Sequence, residues 1–225
     1  MILYRFWIRS LEFLRTAPTP SAHVKKLTTL TLQCLGRILS YDLPSLREEI
    51  GAISECLFEI LHKYAAAGLG KGENFDLVLA AFKTMAVIVR VVKYHAIAQK
   101  DLKILLLYVE QDLNNHERQA IAFTLLKAII LRKLMVNEMH AVMKKVAELS
   151  ITSELSHVRA QARSVFHQFI MNYPLMKRID NHIAFLPLLQ INYDVQFGRE
   201  SAIEMINTFI NTFPNEILLK HCGSF

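Results

Sequence analysis

The chain has 225 residues, 52% of them hydrophobic and 20% charged, with a mean hydropathy of +0.25. That length holds one or two domains with a sizeable core, while 7 Gly and 6 Pro are too few for a turn-rich β-sandwich or a disordered linker protein. The net charge of +6 is spread evenly, with 14 basic and 11 acidic residues in 1–112 against 12 and 9 in 113–225, so no basic arm for nucleic acid stands out.

The opening MILYRFWIRSLEFL is apolar, but Arg5, Arg9 and Glu12 break the unbroken stretch that a signal peptide needs. Its spacing predicts a helix over 2–16, ended by Thr16-Ala17-Pro18-Thr19-Pro20. A second helix is predicted over 22–41, stopped by Asp42-Leu43-Pro44, and a third over 45–67, stopped by Gly68-Leu69-Gly70-Lys71-Gly72. The helix over 74–97 has one narrow wet stripe, Asp76, Lys83 and Arg90 at seven-residue steps. Apolar residues cover nearly all the rest, which places this helix in the middle of a stack. Its apolar run Leu77–Val92 is interrupted by Lys83 and Arg90 and is shorter than the ~20 residues of a membrane span. Further helices are predicted over 100–113, 116–134, 136–149, 155–173, 177–193 (kinked by Pro187), 199–213 and 215–221. The breaks between them fall at Asn114-Asn115, Ser150–Ser153, Tyr173-Pro174, Phe197-Gly198 and Phe213-Pro214. No stretch alternates like a strand.

A repeat underlies the row of helices. His23-Val24-Lys25, His116-Glu117-Arg118 and His157-Val158-Arg159 each open a helix, and Gly198-Arg199-Glu200 opens another. Arg118 to Arg159 is 41 residues and Arg159 to Arg199 is 40, with Asp76 at the matching place 42 before Arg118. A period near 40 built from two helices is the signature of HEAT or armadillo arrays. The reading is an all-α, HEAT/armadillo-like α-solenoid of about five antiparallel helix pairs, one solenoid segment over residues 1–225. The pairs are 2–16 with 22–41, 45–67 with 74–97, 100–113 with 116–134, 136–149 with 155–173, and 177–193 with 199–213. The apolar first and last helices, with Trp7 and Leu219 among their residues, predict exposed patches where neighbours are missing.

Catalytic chemistry finds little support. The glycine run follows a helix rather than a strand and lacks the Ser or Thr of a P-loop, so it reads as a helix end. The nine histidines show no H-x-x-x-H spacing, and His23, His116 and His157 read as caps or packing contacts. Cys34, Cys56 and Cys222 are too few and scattered for a disulfide framework or a zinc site; this points to a reduced intracellular protein, with Cys34 and Cys56 as core residues. Met135, Met139, Met143 and Phe123 read as core filling. No nucleophile elbow is present. No catalytic residue, metal site or cofactor is expected.

The ordered polar feature is the column Lys25, Arg118, Arg159 and Arg199, which a solenoid would align along one edge. Two readings stay open: the bases pair with acids of adjacent units, or they present a strip to RNA phosphates or to an acidic peptide.

Specific strings carry a resemblance. KGENFDLV from Lys71, RQAIAFTLLKAIILRKL from Arg118, GRESAIEMI from Gly198 and Thr212-Phe213-Pro214 resemble the small-subunit processome component 20 family, the down-regulated in metastasis proteins. EILHKYAAAGLGKG from Glu59 and KILLLYVEQDL from Lys103 fit it too, in register over about residues 22–225. The resemblance implies a segment of a large nucleolar HEAT-repeat protein without enzymatic activity. It implies pre-ribosomal RNA, the box C/D small nucleolar ribonucleoprotein and other processome proteins as partners, and neither a membrane nor a small-molecule substrate. The expected function is a non-enzymatic scaffold for pre-rRNA processing and small-subunit biogenesis in the nucleus and nucleolus. The alternative is a HEAT-type protein–protein adaptor, a transport or phosphatase scaffold.

Overall fold

The computed structural model describes residues 2–16, 20–41, 43–64, 74–116, 118–175 and 193–221, and among these it is all-α and solenoid-like, with no strand. It divides into two compact units, to Asp112 and from Leu113. The first holds α1 (Ile2–Thr16), α2 (Ala22–Ile38) with a 3-10 turn Leu39–Tyr41, α3 (Pro44–Arg47), α4 (Ile50–Tyr64), α5 (Phe75–Val91) and α6 (Gln99–Asp112). The second holds α7 (Gln119–Leu131), α8 (Met139–Thr152), α9 (Ser156–Asn172), α10 (Gln196–Thr212) and α11 (Asn215–His221).

In the first unit α1 packs on α2 and on α4, α2 on α5, and α4 on α5. Each of these four helices thus touches its pair mate and one helix of the neighbouring pair, which is how a two-layer helical array buries its faces. Leu11, Leu14, Leu32, Leu35, Leu57, Leu61, Phe82 and Met85 fill the seam. Three threonines enter the buried side of α2 with their hydroxyls satisfied: Thr28, Thr29 and Thr31 donate to the carbonyls of Val24, Lys25 and Leu27, each at 2.9 Å. Thr84 Oγ1 on α5 shares its proton between Ala80 O (2.8 Å) and Leu32 O (3.0 Å), which pins α5 to α2. Tyr108 on α6 donates to Leu61 O on α4 (3.3 Å), and burial raises its pKa.

Several sequence expectations shift here. The helix expected over 45–67 is two: Leu43 is extended before Pro44, α3 ends at Arg47, and the chain restarts at Ile50, with Leu46 and Ile50 both delivered to the core. The helix over 74–97 stops at Val91, because Val92 leaves helical geometry while staying buried. Of the two cysteines expected in the core, Cys34 is exposed and Cys56 is buried. The stripe Asp76, Lys83 and Arg90 is exposed as read, on a helix otherwise largely buried. The glycine run 68–72, Cys222, the helix 177–193 with Pro187, and the side chain of Trp7 lie outside the described residues; Leu219 is exposed.

In the second unit α8 packs on α9, α7 on α9, and α10 on both α8 and α9. The helix ends repeat with the same chemistry. At the ends of α9 and α10 the Tyr173 and Phe213 N–H groups donate to Phe169 O (3.1 Å) and Phe209 O (2.9 Å), and each aromatic pair packs ring on ring at 5.1 and 4.8 Å. Tyr173 OH also donates to Leu134 O (2.9 Å) and accepts from Val136 N (3.1 Å), tying the α7–α8 connection to α9.

Three boundaries differ from the sequence reading. α7 ends at Leu131 in a Schellman turn, in which Leu134 N donates to Ile129 O and Lys133 N to Ile130 O, with Lys133 at φ 53°. This turn leaves Met135 exposed rather than in the core, whereas Met139, Met143 and Phe123 are buried. α8 runs through Ser150 because that side chain is buried and donates to Ala147 O. α10 begins at Gln196, so Gly198 sits inside its first turn instead of breaking the chain.

Candidate functional site

The first i→i−4 hydrogen bond of α2, α5, α7, α9 and α10 fixes the repeat register. Lys25 N donates to Ser21 O, Val78 N to Asn74 O, Gln119 N to Asn115 O, Arg159 N to Leu155 O and Arg199 N to Val195 O. The equivalent positions are therefore Lys25, Val78, Gln119, Arg159 and Arg199. Gln119, Arg159 and Arg199 are spaced by 40 and 40. Arg118 stands one residue out of register and is buried, 6% exposed, and Asp76 stands two residues before Val78. Three residues past the register position lies a small buried side chain each time: Thr28, Ala81, Ala122, Ala162 and Ala202. Small residues there let the helices approach closely.

The shared position performs one task in the second unit. Arg159 Nη1 donates to Ser153 O and Glu154 O, both at 2.9 Å. Arg199 Nη1 donates to Tyr193 O (2.9 Å) and Asp194 O (2.8 Å). Gln119 Nε2 donates to Leu113 O, again six residues back. A long side chain with a terminal N–H folds back over the preceding turn and satisfies carbonyls that no helix uses. The Arg159 guanidinium also lies over the Phe197 ring, 4.7 Å from its centroid. Lys25 holds the same helix position and is half-buried.

A cross-helix network missed by the sequence reading lies one turn further on. Arg163 on α9 donates to Ser201 Oγ and pairs with Glu204, both on α10, and Ser201 Oγ donates to Ser150 O on α8. Burial lowers the Arg163 pKa; Glu204 counteracts this, and the nearby Arg159 adds to it. The signal was present as a base and an acid 41 residues apart, one residue beyond the repeat step. His167 on α9 meets Thr212 Oγ1 on α10 at 3.0 Å and stacks on Phe209, and burial lowers its pKa.

The other candidates do not gather into a site. His23 and His157 are exposed on the first turns of α2 and α9, His116 is exposed in the turn before α7, and the cap at α2 is made by Ser21, whose Oγ accepts from Val24 N at 3.4 Å. Among the described residues no cluster of three His, Cys, Asp or Glu could hold a metal ion, and no helix is long and apolar enough to cross a membrane.

No family model matches the chain. It is 30% identical over 156 residues to the U3 small nucleolar RNA-associated protein 20 of Schizosaccharomyces pombe, a match that covers 68% of this chain and 6% of that protein. To the protein of the same name in Saccharomyces cerevisiae it is 32% identical over 115 residues, 51% of this chain and 5% of that protein. The chain belongs to the U3 small nucleolar RNA-associated protein 20 family. It spans about a twentieth of the length of these relatives. Two of the strings that carry the family resemblance lie on α7 and α10, where Ala122, Phe123, Leu126 and Ile129 on α7, and Ala202 and Met205 on α10, are buried. At those buried positions the family strings are packing residues of the helical array.

Proposed function

We propose that this chain is a non-enzymatic HEAT-type scaffold segment of the nucleolar small-subunit processome, acting in pre-rRNA processing and small-subunit biogenesis. The observation that carries the reading is its similarity to two fungal proteins named for association with U3 small nucleolar RNA. A helical array whose recurrent polar position is devoted to closing its own turns supports a scaffold role, since a scaffold works through shape and surface. In this reading the segment works within a longer protein, its partners are pre-ribosomal RNA, the box C/D small nucleolar ribonucleoprotein and neighbouring processome proteins, and no substrate is turned over. Contact of Lys25, Arg159 and Arg199 with RNA phosphates remains part of the proposal, and Arg118, 6% exposed, drops out of the strip. Its arginines would act through N–H groups beyond those on loop carbonyls.

The test is an in-frame deletion of these residues from the endogenous gene, with pre-rRNA species resolved by blotting. Accumulation of uncleaved precursor and loss of small subunits is the expected result. Normal processing with the segment removed would refute the role.

A further inference from the structure

Between α2 and α5 runs a groove of about 690 Å³ with cationic rims. Lys26 and Arg37 stand on its α2 side and Lys83 and Arg90 on its α5 side, all four exposed, and Asp76 is the one acid among its described lining residues. We infer that this groove docks an acidic amphipathic helix of a partner protein. The inference goes beyond the processome reading and stands without it.

Charge complementarity sets the sign of the partner. The α5 cations continue the seven-residue stripe from Asp76, so they share one face, and four positive charges against one negative favour an acidic ligand. The floor sets its class. Leu30 is 51% exposed, and Leu79 and Val87 are half-buried between the rims. Apolar side chains of an amphipathic helix would cover that surface, whereas a sugar–phosphate strand has nothing to offer it. None of the groove's described lining residues is aromatic, so they offer bases no stacking platform. The groove is also preformed. Thr84 pins α5 to α2 through Leu32 O, and Gly36 leaves room beside it. A ligand therefore need not open it. From Lys26 to Arg37 the α2 rim is about 16 Å long, enough for three turns of a docked helix.

Fluorescence anisotropy on the full chain tests this with three probes. The first is a 15-residue peptide carrying Leu along one helical face and Glu on both flanks. The second has the same composition with the Leu residues scattered, and the third is a uridine 12-mer. The first peptide should bind at least tenfold tighter than the second. Lys83→Glu with Arg90→Glu, or Lys26→Glu with Arg37→Glu, should weaken it at least tenfold, with circular dichroism unchanged. Lys100→Glu, away from the groove, should leave it as it is. Leu30→Asn should weaken the patterned peptide about as much as it would any ligand seated on the floor. Equal binding of both peptides, or indifference to Leu30→Asn, would overturn the proposal. So would displacement of the peptide by a tighter-binding uridine 12-mer, which would assign the groove to nucleic acid.

Discussion

Gly198→Ala tests the close approach on which the second unit is built. An added Cβ would lie 2.2 Å from Tyr193 Cδ1 and 2.9 Å from Ile151 Cγ2. Relaxed carbon–carbon contacts need about 3.5–4.0 Å, so the overlap exceeds an ångström on the Tyr193 side. Tyr193 could swing its ring, but its carbonyl accepts from Arg199, and Ile151 is buried on α8. Overpacking of this kind costs about 1–3 kcal/mol, against a helix-propensity gain of at most about 1 kcal/mol. With an approach as close as 2.2 Å the cost sits in the upper part of that range, about 2–3 kcal/mol, so the net loss of about 1–2 kcal/mol corresponds to a fall of roughly 5–10 °C in the melting transition of a unit near 100 residues. Gly51→Ala on α4 is the matched control. It meets nothing within 4 Å, so the same substitution should be neutral or stabilise by up to about 1 kcal/mol. Thermal melts by circular dichroism read both. A Gly198→Ala chain as stable as the parent would refute the packing of α10 on α8.

Four further outcomes follow from the same geometry. Lys133→Gly should stabilise by about 0.5–1 kcal/mol in urea titrations, because a φ of 53° strains any residue with a Cβ. Thr84→Val should cost about 1 kcal/mol in the same assay by removing the hydroxyl between α5 and α2. Arg159→Met should destabilise the second unit by about 1–2 kcal/mol through its two carbonyl bonds and the Phe197 contact, with Arg159→Lys recovering only part. For His167 the folded pKa lies below the ordinary 6.5, so the fold favours the neutral ring. Its stability contribution is full above pH 6.5 and is lost as pH falls through the lowered folded pKa, so melts from pH 7.5 to 5 should decline less in His167→Gln.

Much of the architecture was legible because helical periodicity and stop chemistry coincided. The bounds of α1 and α9 follow from Pro and Ser placements, and the 40-residue step from α9 to α10 holds for Arg159 and Arg199, Ala162 and Ala202, and Phe169 and Phe209 alike. The polar column was misregistered at Arg118 because a search by charge passes over Gln119, whereas the structural task is reach with an N–H, which glutamine shares with arginine. The end of α7 was hidden because Lys133 takes a conformation that sequence assigns to Gly or Asn. Gly198 misled in the opposite sense, serving a close approach rather than a turn. The α2–α5 groove was half visible: the α5 stripe was read from its spacing, but Lys26 and Arg37 join it only through packing.

The most direct test of the proposed role is recovery of RNA with the tagged endogenous protein, with U3 small nucleolar RNA quantified against an unrelated small nuclear RNA. The account predicts strong enrichment of U3 that falls when residues 1–225 are deleted. Equal recovery of both RNAs, or U3 enrichment indifferent to the deletion, would contradict it.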